Sequence, residues 1–471
     1  MRVPFLVRAL VVLLLSLVPL RIVARGYLPD DDALRHAAKA VSGRLWTEIL
    51  VLRPEVAMDS HPGWHTALGL VRRATGADAH GLVVVSVILG LLAVLLPPAF
   101  LLRRPEAWVA ALLAFGVLDP RILTRFASGR PFLLSAGLLA VLCVLAPRLG
   151  DTTLRRTLLV LGPAFAVVAW MHPSWHLFLL PVAACLLAGE RRMALLLLTT
   201  LALGVGLAGL VHGHPVEFVS QSLLHTVLAM GSPAPPGTLA IEFLPGDGSP
   251  LLLLGAAVLW TRRARRSEPD ASGLRAVLAL AALGWLLGFL VVRFWSDWGA
   301  VALLVWMALE IERALEDGFS ADDRRRIGVA LLAGVAVLLA WSAPLRPTPL
   351  ADRPFLALAA PQQSPALPDP GGVLYTDDMR IFYQLFYARP DAPWRYIVGY
   401  EPALMPPEDL ATFRSILAAR TPENFEPWVR KMRPEDRLVI RSLEGAPGIP
   451  GLAWTPISRT LWSGRVTPGG R

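Results

Sequence analysis

Charge is scarce in this chain. Asp, Glu, Lys and Arg make up only 17% of its 471 residues, against about a quarter in soluble domains, while 55% are hydrophobic. With a mean hydropathy of +0.54, this excludes an ordinary soluble protein and indicates a polytopic membrane protein. Cysteine is nearly absent. Cys143 and Cys185, both inside apolar runs, rule out a disulfide scaffold and a cysteine zinc cage. The single asparagine, Asn424, is followed by Phe-Glu, so there is no N-glycosylation sequon. Also missing are a P-loop, a GxSxG elbow and a GxGxxG turn opening a helix, which leaves nucleotide chemistry without support. The formal charge of +9 would suit nucleic acid only if the arginines shared one surface. They are instead dispersed over many loops, and no nucleic-acid partner is expected.

Apolar stretches are abundant. A helix crossing the hydrocarbon needs about 20 mostly apolar residues, and eleven candidates fall near 3–24, 82–102, 107–119, 131–147, 157–171, 175–188, 193–211, 250–261, 274–292, 298–311 and 327–342. Those at 107–119, 175–188 and 250–261 are short enough for half-helices. Short cytoplasmic loops collect Lys and Arg. Alternate loops do so here: Arg103/Arg104, Arg148/Arg155/Arg156, Arg191/Arg192, Arg262/Arg263/Arg265/Arg266/Arg275 and Arg313/Arg324/Arg325/Arg326. The N-terminus is therefore expected inside and the C-terminal region outside. The first segment, with a charge-free core from Ala9 to Leu20, also fits a cleaved signal peptide.

Outside the membrane, a first loop over residues 25–81 contains Asp30-Asp31-Asp32 and then His61-Pro62-Gly63-Trp64-His65. Ala33, Leu34, Ala37, Ala38 and Val41 follow the triplet at helical spacing, which predicts an amphipathic helix along the membrane interface with the acids at its N-terminal end. A second outer loop, His212 to Pro250, lacks Lys and Arg and holds Ser232-Pro-Ala-Pro-Pro-Gly237, the composition of a gate. A Pro-rich linker over 343–370 precedes a domain at 371–471. Strands are expected at 373–376, 396–398 and 437–441 and helices at 378–388 and 407–419, giving a small α/β domain.

Three adjacent carboxylates repel one another, so one should rise in pKa or recruit a cation. Either a general base for a hydroxyl or a Mg²⁺ or Mn²⁺ ligand would suit, against a plain helix cap with solvated first-turn acids. The pentapeptide His-Pro-x-Trp-His occurs at 61–65 and again at 172–176. With Pro at the first helical position its histidines lie at i and i+4, which fits a metal pair or hydrogen bonds lining a sugar cavity. Asp59, just before, is a further carboxylate candidate. Arg125, Arg130 and Arg293 run against the charge rule at outer span ends and suit a lipid phosphate, unless they are paired locally, as Arg293 with Asp297.

The order of a span, an outer loop opening Tyr27-Leu-Pro-Asp-Asp-Asp-Ala-Leu-Arg-His-Ala37, a His61-Pro62 element and Gly129-Arg-Pro-Phe132 resembles the polytopic GT-C glycosyltransferases. Among these are the undecaprenyl-phosphate aminoarabinose and protein mannosyl transferases. The resemblance covers residues 1–342 by architecture and those short stretches by motif. It implies a polyprenyl-phosphate-linked sugar donor, transfer to an envelope glycan, lipid or protein on the outer face, inversion at the anomeric carbon, and an acidic pair in the first outer loop. That pair maps onto Asp31 and Asp32, with Asp30 as an alternative register. The chain departs from the pattern in having Asp where relatives often carry Glu, and in an acidic run three long. Its disulfide-free, Arg- and Leu-rich make-up fits a bacterial plasma membrane. Two rival readings are a lipid-linked-sugar flippase, which would prefer ionisable residues near the midplane, and a scaffold whose function lies in the outer domain.

Overall fold

The computed structural model describes residues 3–56, 58–149, 152–230, 245, 246, 248–264, 272–318, 323–347, 355 and 365–467. The Ser232–Gly237 stretch, most of the Pro-rich linker, and Arg265 and Arg266 lie outside the described residues. The chain forms two compact units, one from 1–28, 84–219 and 242–347, the other from 29–83, 220–241 and 348–471.

The first unit is helical. Among the described residues, seven helices are long and apolar enough to cross a membrane: Val3–Ala24, Ala79–Leu101, Phe132–Leu149, Leu154–Met171, Arg191–His212, Val292–Glu316 and Arg324–Ser342, and three shorter apolar ones are Pro105–Leu118, Ser174–Leu187 and Gly273–Gly288. The remaining candidate, near 250–261, is the 15-residue helix Pro250–Ala264. The chain is thus a multi-pass helical membrane protein, and each of the eleven apolar segments falls on a helix, seven of them of full spanning length among the described residues. Small residues set the helix approach: a Cβ on Gly137 would run into the Ala93 carbonyl, and one on Gly273 into that of Ala146. Close backbone contact of this kind packs helices in lipid. Two buried indoles tie helices to backbone carbonyls, Trp108 donating to Leu95 at 2.8 Å and Trp341 to Leu112 at 2.9 Å. Residues 212–250 are not all loop, since Pro215–Met230 is helical.

The second unit holds a five-stranded sheet. Its strands are β1 (Val373–Tyr375), β2 (Arg395–Tyr396), β3 (Arg437–Arg441), β4 (Leu452–Pro456) and β5 (Leu461–Val466), in the order β2-β1-β3-β5-β4. β1 is parallel to both neighbours, with Leu374 opposite Tyr396 and Tyr375 opposite Leu438, and β5 is antiparallel to β3 and β4. Its helices are α1 (Asp32–Ser42), α2 (Pro62–Thr75), α3 (Met379–Ala388), α4 (Pro407–Ala418) and α5 (Pro422–Lys431). Tyr375, Val398, Phe413, Trp428, Leu438 and Ile440 build one apolar core. The first outer loop belongs to this same body. Leu50 bridges Tyr396 in parallel register, the Val51 amide donates to the Tyr396 carbonyl at 3.0 Å, and the Arg53 amide donates to Leu404 at 3.0 Å.

One expectation about the loop fails. α1 is not an interfacial helix with a wet face, because every residue from Ala33 to Lys39 is buried and the helix packs against α2 and α3. Protein, rather than lipid headgroups, covers it.

Candidate functional site

In the second unit the acidic turn divides its charges. Asp30 accepts from the Gln384 side-chain amide on α3 at 2.9 Å. Asp32, the first residue of α1, pairs with Arg35 at 2.6 Å, and the Arg35 guanidinium lies over the Tyr400 ring, 4.0 Å from its centroid. Burial works against that guanidinium, yet Asp32 outweighs it and the group is held above its usual pKa. Asp31 occupies the N-cap position of α1 without a side-chain cap hydrogen bond. The repulsion expected of three adjacent acids is relieved by sending them to separate neighbours. The donor set does not suit a divalent cation, since Asp32 faces a guanidinium and Asp30 an amide N–H. Among the described residues no three His, Cys, Asp or Glu side chains are grouped to hold a metal ion.

Below the turn lies a cluster of histidines on Asp59. Pro62 opens α2 with His61 at its N-cap, and the His65 amide donates to the His61 carbonyl at 3.1 Å, so the two imidazoles share one helix face as the spacing predicts. His65 Nδ1 meets Asp59 Oδ2 at 2.5 Å, and His65 Nε2 meets His36 Nδ1 at 2.8 Å. Asp59 Oδ1 also accepts from the His61 amide at 3.0 Å and from Trp46 Nε1 at 3.2 Å. His61 Nδ1 is 2.8 Å from Ser60 Oγ. Burial penalises the Asp59 charge, but His65, the His61 amide and Lys39 together hold its carboxyl far below the usual range. Burial lowers both His61 and His65 below their ordinary values, with Arg35 adding to the effect on each. Burial likewise lowers Lys39, against the pull of Asp59 and Glu48.

In the first unit the second His-Pro-x-Trp-His copy folds differently. His172 closes the helix Leu154–Met171 as its C-cap, and Ser174–Phe178, which contains His176, is a 3₁₀ turn. His172 Nδ1 lies 3.2 Å from Ser135 Oγ and its Nε2 3.4 Å from Arg293 Nη2, while Arg293 also donates to Ser174 Oγ at 3.0 Å. Arg125 grips Asp297 with two hydrogen bonds, Nε to Oδ1 at 2.8 Å and Nη2 to Oδ2 at 2.7 Å, and stacks over Phe132. Arg293 reaches the same carboxylate at 3.3 Å. Asp297 therefore serves two arginines from a π-helical turn, Trp295–Gly299, a rare irregularity that recurs at functional sites. Arg130 precedes the helix Phe132–Leu149, its carbonyl accepting from the Leu133 amide at 3.2 Å. Nearby in sequence, buried Asp119 accepts from Ser249 Oγ, which also receives the Trp295 indole N–H at 2.8 Å. Ser249 sits at φ 51°, a strained conformation for a residue with a Cβ.

Of the residues picked out in the sequence, Asp59, His61 and His65 share one cluster, with Asp32 close enough to influence His61. Arg293 and His172 meet in the first unit, where Arg125 joins them through Asp297. Sequence reasoning assigned no role to Arg35, His36 and Asp119, and gave Asp297 to Arg293 alone. The i+3 and i+4 spacing of Arg35 and His36 from Asp32 was a readable signal. The contact of Arg125 with Asp297, 172 positions apart, was not.

No protein family matches the chain, and neither does any curated protein. Among solved structures it is similar to the arabinofuranosyltransferase AftD from Mycobacteria, at 18% identity and a TM-score of 0.48, over 95% of this chain and 39% of that one. It is also similar to the Archaeoglobus fulgidus oligosaccharyltransferase complexed with zinc and sulfate, at 10% identity and a TM-score of 0.45, over 92% of this chain and 68% of that one. The chain thus spans well under half the length of the first. Likenesses this distant carry no argument about activity.

Proposed function

We propose that this chain is a membrane glycosyltransferase moving a sugar from a polyprenyl-phosphate-linked donor to a hydroxyl of an envelope glycan, lipid or protein, with inversion, on the outer face of a bacterial plasma membrane. The observation that carries it is the acidic turn. Asp31 stands at the N-cap of α1, between Asp30, held by Gln384, and Asp32, held by Arg35. Solvated first-turn acids would not be tied this way.

In this reading Asp31, or Asp32 in the neighbouring register, accepts the proton of the acceptor hydroxyl. The oxygen attacks the sugar C1 as the bond from C1 to the phosphate oxygen breaks, the electron pair leaving with the lipid phosphate. Arg125, Arg130 and Arg293 are assigned to that phosphate as guanidinium donors, Arg125 and Arg293 from the positions in which Asp297 holds them. Asp59, His61 and His65 in the second unit, and His172 and His176 in the first, are assigned to hydrogen bonds with the sugar. No step is routed through a metal.

The test incubates the full-length protein in nanodiscs with a panel of radiolabelled polyprenyl-phosphate sugars, with and without EDTA. Donor consumption that falls at least about 100-fold in Asp31→Asn/Asp32→Asn, the scale of a lost general base, is the expected result. Full activity in the double variant overturns the assignment. Donor binding without turnover points to a transporter.

A further inference from the structure

The Asp59, His65 and His36 chain has a fixed polarity. An ionised Asp59 can only accept, so His65 Nδ1, 2.5 Å away, carries the proton. A neutral His65 then has its lone pair on Nε2. His36 Nδ1, facing that atom at 2.8 Å, must donate, which leaves the lone pair of a neutral His36 on Nε2. The two imidazoles thus form a one-way line from Asp59 to His36, and His36 lies one helical turn beyond Asp32 on the same face of α1.

We propose that His36, His65 and Asp59 form a proton-relay chain behind the acidic turn, drawing off the proton that the turn removes from the acceptor hydroxyl. The inference rests on the glycosyl-transfer reading above and deepens it. The acceptor O–H bond breaks and its proton passes to the carboxylate. The carboxylate gives it to His36 Nε2, and His36 releases its Nδ1 proton to His65 Nε2. The imidazolium formed at His65 is stabilised by Asp59 and returns its proton to solvent after the phosphate has left. His36, fully buried, is a positioning residue that acts through the carboxylate and His65, while His65 and Asp59 carry the relay from the sugar side assigned to them above.

The surroundings favour an empty relay at rest. Among the described residues, the charged or titratable groups bearing on it include Asp32, Arg35 and Lys39 from α1, Asp59 and His61 around the start of α2, Glu48 through Lys39, Tyr400 beside Asp59 and Arg35, and Tyr383 of α3 through Arg35. Burial with Arg35 and Lys39 keeps His65 neutral at pH 7 despite Asp59, so it is ready to receive a proton. A stacked core cluster would need no common direction, whereas His36 meets His61 edge-on, ring centroids 4.7 Å apart, and hydrogen-bonds to His65.

Two measurements on the full-length protein in nanodiscs test this. Solid-state NMR of protein labelled with ¹⁵N-histidine, assigned with His36→Gln and His65→Gln, is expected to show both residues as neutral Nδ1–H tautomers at pH 7. An Nε2–H tautomer at either, or an imidazolium, overturns the chain. With any donor that the wild type consumes, His36→Gln is expected to lower kcat about 100-fold with donor KM within about twofold, His65→Gln to lower kcat similarly, and both to abolish the rise of kcat with pH that reports His65 deprotonation. Unchanged kcat and pH profile would make the histidines core hydrogen bonds only. Asp59→Asn is less informative because its single carboxamide oxygen cannot serve both His65 Nδ1 and the Trp46 and His61 N–H groups. If the wild type consumes no donor, the transfer reading fails, and the tautomers still decide whether the proton line exists.

Discussion

At the scale of single residues, the firmest electrostatic commitment in the helical unit is Asp297. Its carboxylate is buried and holds Arg125 through two hydrogen bonds and Arg293 through a longer contact. Removing one partner of a buried pair costs more than the pair contributes, because the other charge is stranded. Asp297→Ala therefore leaves two guanidinium groups without their shared anion, and a loss of about 3 to 5 kcal/mol is expected. Thermal unfolding in detergent should show it as a clear drop in midpoint. Arg125→Lys should fall between wild type and Asp297→Ala, because a lysine keeps the charge but not the planar fork. A midpoint unmoved by Asp297→Ala would mean that both arginines find other anions at no cost.

At the scale of elements, the second unit depends on a loop that docks on a sheet edge. Gly399 lies against Leu50, and a Cβ there would come within 2.6 Å of the Leu50 side chain, which is itself buried. Gly399→Val should overpack this joint by about 1 to 3 kcal/mol and speed proteolysis across residues 43–56; unchanged cleavage would show that the joint does not hold the loop. The histidine cluster adds an acid sensitivity. Because the folded pKa values of His61 and His65 lie below the unfolded value of about 6.5, the unfolded chain binds more protons just below that pH. Stability then rises with pH in that window and is lost on acidification, by up to about 1.4 kcal/mol per pH unit for each proton taken up. Hydrogen exchange over 46–75 should quicken from pH 7 to pH 5.5 in wild type and less so in His61→Gln/His65→Gln; equal quickening in both would remove the histidines as the cause.

Local signals made part of this legible. The expected strands at 373–376 and 437–441 appear as β1 and β3, because apolar runs between turn residues specify them without distant help, whereas of 396–398 only Tyr396 is strand, in the two-residue β2. β4 and β5, in sequence rich in Gly, Pro and Ser, are set by pairing with β3, and no short-range pattern reports that. Pro62 at the first turn of α2 was readable as a helix start. The burial of Arg35, His36 and Lys39 was not, since it arises from α3, more than 300 positions later.

At the scale of the whole molecule, the composition of the second unit constrains membrane topology. Residues 29–83, 220–241 and 348–471 fold into one body, so all three must emerge on the same side, and the crossings between successive segments must be even in number. Six of the apolar segments read from the sequence lie between the first pair of stretches and four between the second, which meets the condition both times. The charge rule predicts that the arginine-rich loops occupy the other, cytoplasmic side; some of those arginines are held in ion pairs, Arg326 with Glu106 at 2.9 Å and Arg263 with Glu310 at 2.8 Å. In a background with Cys143→Ala and Cys185→Ala, single cysteines at exposed Glu55, Ser220 and Glu444 should all react with an impermeant maleimide added to intact cells. Cysteines at exposed Arg103, Arg155 and Arg192 should react only after the membrane is opened. Opposite labelling of positions 55 and 444 would break the parity argument and with it the shared outer body, whereas reversal of both sets together would keep that body and place it, with the acidic turn, on the cytoplasmic face.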